Sequence, residues 1–491
     1  MNTIRKLGLL LPGLLLLFAA AGCKKQEGAA SGSAGGAGSG KTITIVVDGG
    51  GDQVNYNSTA SMVKSDANPY PYNELEKLAK EYSDAHPGVV VQISEVSRTN
   101  EREVLVPLLR SKKAPEIIFQ NMGLYKNAEV GTDYIVPVTK YLNEPNPYVP
   151  GNKKWSDLFI GPWFKITQSM DGEYRFVPID SIPIGIIYNK ELFEKAGIAK
   201  APETYKEFDE ALDKLHAIGV TPYLPIYHWY DIFIEGSLMA DKVDELDVLT
   251  KDGVLDAQEY ARGFEKGLLS MKDPRISDWL KLMKERTRYY PTGWQQADVI
   301  TAFVQGQIAM IEAVGVHMRM INDDKNRKFE VGTFPFPLVT AGTSKFGTSG
   351  IIRGNAGYST CWQITNSAVE NGSVEACVDF LRYCTTPENN ARLINALSAT
   401  TPAVVGAESI PLFKPLNDIA AKDMEMGFKD WHASAIESGF DAEFGDLYSN
   451  LYNGYLLGEI TLEQFQDQFD EGAKAAIKRM ERNVDWDKSR W

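Results

Sequence analysis

Residues 176–222 contain, in order, Phe176-Val-Pro-Ile-Asp180, Ile184-Gly-Ile-Ile-Tyr-Asn189, Lys190-Glu-Leu-Phe-Glu-Lys-Ala-Gly-Ile198 and Pro202-Glu-Thr-Tyr-Lys-Glu-Phe208. Ile184, Ile186, Ile187 and Tyr188 make a short apolar run of the kind a buried strand needs. Leu192, Phe193 and Ala196 then carry a helical turn that Gly197 closes. Pro202 interrupts the chain, and Thr204 with Glu207 has the spacing of a capping box. The helix it opens buries a stripe of Phe208, Ala211, Leu212 and Leu215. Strand, helix, turn and helix in this order indicate an α/β fold.

The same alternation continues towards the N-terminus. Lys41-Thr-Ile-Thr-Ile-Val-Val47 reads as a first buried strand ending in Asp48-Gly-Gly-Gly-Asp52. Leu75, Leu78, Ala79 and Tyr82 recur at helical spacing, and Pro87-Gly88 stops that helix before a strand over Val89 to Val96. A helix with Val104, Leu105, Leu108 and Leu109 follows, and Ala114-Pro115 leads into a strand Glu116-Ile-Ile-Phe119 that ends at Gln120-Asn121. The glycine-rich turn after Val47 is not a phosphate loop, because no Gly-Lys-Ser/Thr follows it.

At the N-terminus, Arg5 and Lys6 precede an apolar core from Leu7 to Phe18 and the small-residue site Ala20-Ala-Gly-Cys23. This is the pattern of a secretory signal over residues 1–22, and the apolar core is too short to span a bilayer. Residues 24–40 are rich in Gly, Ala and Ser and are expected to form a tether. Without residues 1–22 the formal charge moves from -14 to -16. A net-acidic chain with no basic, aromatic-interleaved cluster is not expected to bind nucleic acid. Cys361, Cys377 and Cys384 are an odd internal set, so no disulfide framework is expected. Cys377 and Cys384 share a helical stripe with Val374, Val378 and Leu381 and read as small buried hydrophobes. Five histidines without His-x-x-x-His or Cys-x-x-Cys spacing give no transition-metal site, and no cofactor is implied. Some 450 residues after the tether call for two lobes.

Several spaced motifs carry a family resemblance. Tyr188-Asn-Lys190, Leu192-Phe193, Ala196-Gly-Ile198 and Pro202-x-Thr204 resemble the signature of family 1 extracellular solute-binding proteins, the maltose-binding-protein-like lipoproteins that serve ABC importers. Ile135-Val-Pro-Val-Thr139, Ala302-Phe-Val-Gln-Gly306 with Ala309-Met310 and Gly315, Cys361-Trp-Gln-Ile-Thr365 and Gly458-Glu-Ile-Thr461 are similar to further family segments. Gln307 and His317 stand where many members have lysine and tryptophan. The resemblance implies a two-lobed, type II binding-protein fold with a hinge, and Cys23 as a lipidated mature N-terminus. It places lobe 1 at 41–178 plus 358–402 and lobe 2 at 183–350 plus 405–491. Crossings are expected near Val177 to Ile184, Gly350 to Tyr358 and Thr400 to Gly406. The implied protein is a monomer without enzymatic activity that delivers a solute to membrane permease subunits.

Ligands of α/β lobes bind beyond the carboxyl ends of strands. A sugar there needs planar polar groups for its hydroxyls and flat rings for its C–H faces. The polar candidates are Asp48, Asp52, Gln120, Asn121, Asp180, Ser181, Arg353 and Asn355. The aromatic ones are Trp229 and Tyr230, within Tyr227-His-Trp-Tyr230, which reads as a loop after a strand, together with Trp294 and Trp431. The resemblance of the segment Ala309-Met310 to Gly315 adds Gly315. Trp163, Trp279 and Trp362 are assigned to packing. Two alternatives stand beside a carbohydrate carrier. One is a glycoside hydrolase using the acid pairs Asp441/Glu443 or Asp180/Glu173. The other is a carrier of a different polar solute, such as a glycerol phosphodiester held by Arg353.

Overall fold

A computed structural model describes residues 42–491 apart from 51–54, 97–100, 120–131, 160, 166, 170, 252, 348–351, 426–428, 430, 432–440, 483–485 and 487. Cys23, Asp52, Gln120 and Asn121 therefore lie outside the described residues. Among those described, strands β1 (Ile43–Asp48), β2 (Val89–Ser94), β3 (Ile117–Phe119), β4 (Val177–Pro178) and β10 (Cys361–Ile364) form one sheet in the order β2-β1-β3-β10-β4. A second sheet runs β11 (Thr401–Pro402), β5 (Asp180–Asn189), β7 (Ile308–Val314), β6 (Thr221–Leu224), and β8 (Val331–Phe334) and β9 (Asn355–Tyr358) also pair with β5.

Local chemistry explains the elements that flank these strands. The helix Glu74–Ala85 buries Leu75, Leu78, Ala79 and Tyr82, the stripe that 3.6-residue spacing dictates. Thr204 and Glu207 form a reciprocal capping box at the start of the helix Tyr205–Ala217, which buries Phe208, Ala211, Leu212 and Leu215 together with Tyr205. The helix Val374–Cys384 buries Cys377, Val378, Leu381 and Cys384, and all three described cysteines are buried free thiols. Burial pushes the Cys377 thiol up to about 12, so it stays protonated and inert. Trp163, Trp279 and Trp362 are buried as packing residues.

Each sheet carries its own cores. Ile45, Val47, Tyr82, Trp155, Trp362 and Leu381 belong to one on the first sheet. Ile186, Phe208, Tyr230, Trp279, Met310 and Phe469 belong to one on the second. The chain passes between the sheets at Ile179, again at Ser359–Thr360, and again beside β11. The three passages lie against one another, because Ser181 pairs with both Thr401 of β11 and Tyr358 of β9. The helix Gly315–Asp323, which follows β7, rests against Tyr70 and Leu397: the Arg319 guanidinium lies 3.7 Å from the Tyr70 ring centroid and donates to Leu397 O at 2.7 Å. Among the described residues no helix is long and apolar enough to cross a membrane.

Candidate ligand-binding site

β6 and β7 are parallel, so their carboxyl ends open on the same edge of the second sheet. Tyr227, His228 and Trp229 follow β6, and His317 follows β7. Tyr227 is 57% exposed. Its ring centre lies 4.7 Å from that of Trp229 and 6.0 Å from that of His317, and Trp229 stacks with His317 at 6.2 Å. Beside this cluster a hollow of about 990 Å³ is lined by Pro225 to His228, Trp294 to Ala297 and, from the helix Ala442–Leu457, Tyr448, Ser449, Tyr452 and Asn453. The hollow offers aromatic faces beside neutral hydrogen-bonding groups and the Asp231 carboxylate, and its described lining includes neither lysine nor arginine.

Two buried carboxylates shape this edge. Glu312 interrupts an otherwise apolar β7 and is fully buried. It accepts hydrogen bonds from the backbone N–H groups of Ile226 (3.1 Å), Tyr227 (2.7 Å) and Tyr230 (2.9 Å) and from the Tyr223 hydroxyl (3.1 Å). One side chain thereby fixes the whole turn between β6 and the helix Trp229–Leu246. Asp231, in that helix, accepts from the Arg286 guanidinium, from Tyr452 at 2.6 Å and from His228 Nδ1 at 2.7 Å. His228 has a φ of 60°, a left-handed conformation that a non-glycine residue holds only when its surroundings determine it. Burial pushes the His228 imidazole down to about 4, with Glu312 opposing and Arg286 adding to the shift. Its Nδ1 contact with Asp231 is a hydrogen bond, and burial favours the neutral form of the ring.

Of the expected aromatic contacts, Trp229 and Trp294 stand at this edge, both half-buried. Trp229 belongs to the first turn of a helix, where the sequence pattern predicts a loop. Tyr230 and Trp431 do not present a face to the hollow. Tyr230 is fully buried, stacked 5.0 Å from Phe336 and donating to Pro337 O at 3.1 Å. Trp431 is also fully buried, and its indole N–H donates to Glu235 at 3.0 Å. Both are core residues, since each satisfies its polar handle internally.

The expected polar contacts fall mostly at the junction between the sheets. Asp180 is fully buried and accepts from Tyr56 OH (2.5 Å), Thr360 N (2.5 Å) and Thr400 Oγ1 (2.9 Å), which ties the three passages together. Ser181 Oγ meets Thr401 Oγ1 at 2.9 Å and accepts from Asn355 Nδ2 at 2.9 Å. Arg353 is engaged by Asp423 through Nε (2.8 Å) and Nη2 (2.9 Å), so the proposed anion contact is instead one half of a buried ion pair. Asp48 is buried at the end of β1, accepting from Gly50 N and Val96 N. Gly315 is needed for packing: a Cβ there would collide with Ala399 O and Pro183. The acid pairs are also structural. Arg479 holds Asp441 and Glu443, Asp441 caps the helix Ala442–Leu457, and Glu173 accepts from Thr139.

Sequence reasoning missed Glu312, although an acid inside Ile308-Ala-Met-Ile-Glu-Ala-Val314 is an anomaly that asks for donors. It also missed Tyr448, Ser449 and Asn453, because nothing local distinguishes that face of a long helix.

Comparison with known proteins agrees with this architecture. A Brucella abortus (strain 2308) chain described as a binding protein is 25% identical over 193 residues, a match spanning 37% of this chain and 41% of that relative. A cyclo/maltodextrin-binding protein complexed with maltotetraose superposes with a TM-score of 0.61 at 17% identity, covering 90% of this chain and 100% of that one. RafE from Streptococcus pneumoniae in its apo form gives 0.60 at 18% identity over 90% and 100%. A chitin oligosaccharide binding protein gives 0.56 at 20% identity over 89% and 100%. At these identities the likeness is one of fold. The sequence pattern of the bacterial extracellular solute-binding protein family matches residues 66–391, two-thirds of the chain, and the chain belongs to that family.

Proposed function

We propose that this protein captures an uncharged oligosaccharide between its two lobes and hands it to an ABC importer. The observation that carries this reading is the edge of the second sheet. Its exposed rings suit sugar C–H faces, and Gln295, Gln296, Ser449 and Asn453 suit hydroxyls without supplying a charge. The fold neighbours that bind maltotetraose and chitin oligosaccharide point the same way. Asp52, Gln120 and Asn121 would contribute from the first lobe. The passages joined by Asp180, Ser181, Asn355 and Thr401 would act as the hinge on which the lobes close, and closure would be the signal that the permease reads. The protein would sit outside the cytoplasm, with Cys23 lipidated and residues 24–40 as its tether.

Among the described residues, Asp441 and Glu443 are committed to a helix cap and to ion pairs with Arg479, and Asp180 and Glu173 to hydrogen bonds within the fold, which favours binding over catalysis. The buried Arg353–Asp423 pair likewise weighs against a phosphodiester ligand. A thermal-shift screen of mono- and oligosaccharides tests the reading, because a ligand that binds only the folded state raises Tm by mass action. A rise with at least one neutral oligosaccharide is expected. No rise with any saccharide, or a rise only with anionic solutes, contradicts it.

A further inference from the structure

We propose that His228 is a specificity-determining ligand contact, presenting its Nε2 lone pair to the hollow as a fixed hydrogen-bond acceptor for one hydroxyl of the bound saccharide. This rests on the saccharide reading above and adds to it a residue, an atom and a direction of hydrogen bonding.

The Asp231 carboxylate is buried in an ion pair with the Arg286 guanidinium, and a carboxylate so paired is an acceptor only. It also accepts from the Tyr452 hydroxyl, so His228 Nδ1, 2.7 Å away, must be the donor. A neutral imidazole has a single N–H. With that proton committed to Asp231, Nε2 carries a lone pair and can only accept. The ring is held edge-on between Trp294 (5.8 Å, 74°) and Tyr452 (5.3 Å, 89°), and both of those side chains line the hollow with it. Its φ of 60° is kept in place by the Glu312 bonds to Ile226, Tyr227 and Tyr230 on either side. The side chain is 24% exposed, and no described residue hydrogen-bonds Nε2.

The groups around the ring are the Asp231 and Glu312 carboxylates, the Arg286 guanidinium, and the Tyr452 and Tyr290 hydroxyls. Burial, opposed by Glu312 and aided by Arg286, pushes the imidazole down to about 4 and so favours the neutral ring. An acceptor of this kind welcomes a hydroxyl donor. It repels carboxylate and phosphate oxygens, which offer lone pairs only, and it gains nothing from an ether.

Two substitutions separate ligand contact from scaffolding. An asparagine side chain can replace the Nδ1 bond and tolerates positive φ but lacks the distal acceptor, so the His228→Asn variant tests the contact itself. The His228→Gln variant has the opposite character, reaching the distal position and giving up the Asp231 bond. Titration calorimetry of both, with maltotetraose, raffinose and chitotetraose as probes, is expected to show His228→Asn losing roughly tenfold or more in affinity for the tightest probe while His228→Gln loses less. The reverse order would make His228 a positioning residue for Asp231 and overturn the proposal.

A second readout needs no ligand. Long-range ¹⁵N–¹H spectra of the wild type at pH 7, with His228 assigned by comparison with the variants, are expected to show an Nδ1–H tautomer. An Nε2–H tautomer or an imidazolium overturns the proposal. Saccharide binding that is equal in wild type and His228→Asn sinks the proposal and leaves the function standing, whereas a wild type that binds no saccharide sinks the function.

Discussion

The junction between the sheets and the open edge of the second sheet both hold residues that the sequence nominated for ligand contact, and the structure uses them in opposite ways. At the junction, Asp180, Ser181, Asn355 and Arg353 have spent their hydrogen bonds on Tyr56, Thr360, Thr400, Thr401 and Asp423. At the open edge, Tyr227 is exposed and Trp229 half-buried, and the carboxylates beneath them are consumed. A polar residue at a strand end is thus a candidate contact only if its neighbours leave it capacity. That condition depends on residues far away in the chain.

Breaking the junction should cost stability and spare affinity. The largest effect is expected for Asp423→Ala, which strands the buried Arg353 charge and should lower the unfolding free energy by about 3–5 kcal/mol, read by urea titration. A loss below about 1 kcal/mol would mean that Arg353 is free to serve a ligand.

Asp180 gives a pH signature at the same junction. Burial raises its folded-state pKa to about 6, above the value of about 3.9 expected when unfolded, so the folded state binds the proton more tightly. Stability from this group is present below about pH 4 and is lost as pH rises through about 6, by about 2–3 kcal/mol in all. Asp180→Asn should flatten that part of the stability profile between about pH 4 and 6. Parallel profiles for the two proteins would contradict the assignment.

At the open edge the expectation inverts. Trp229→Ala should weaken saccharide binding by about 1–3 kcal/mol through lost stacking, with a smaller change in stability. Equal affinity in calorimetry would remove Trp229 from the site. The smallest effect belongs to Trp431→Phe, where loss of the indole bond to Glu235 should cost about 1 kcal/mol of stability and leave affinity unchanged. A larger loss of affinity than of stability would restore Trp431 as a contact.

The fold was readable wherever a signal is local. The Thr204/Glu207 capping box, the stripe Leu75, Leu78, Ala79, Tyr82 and the stripe Phe208, Ala211, Leu212, Leu215 depend only on spacing within one helix, and the structure shows all three. The site was readable only in part. Trp229 is nominated by its place just after a strand and Trp294 by the family resemblance of its segment, and both stand at the open edge. Tyr230, one residue on, faces the core because a helix begins there and turns it about 100° from Trp229. Trp431 looked open because its partner Glu235 lies 196 residues away.

The most direct test of the account is calorimetric titration of the full chain with maltotetraose, raffinose and chitotetraose, set beside a glycerol phosphodiester. Saturable binding of at least one neutral oligosaccharide, and none of the phosphodiester, is expected. Binding of the phosphodiester with no response to any saccharide would contradict it.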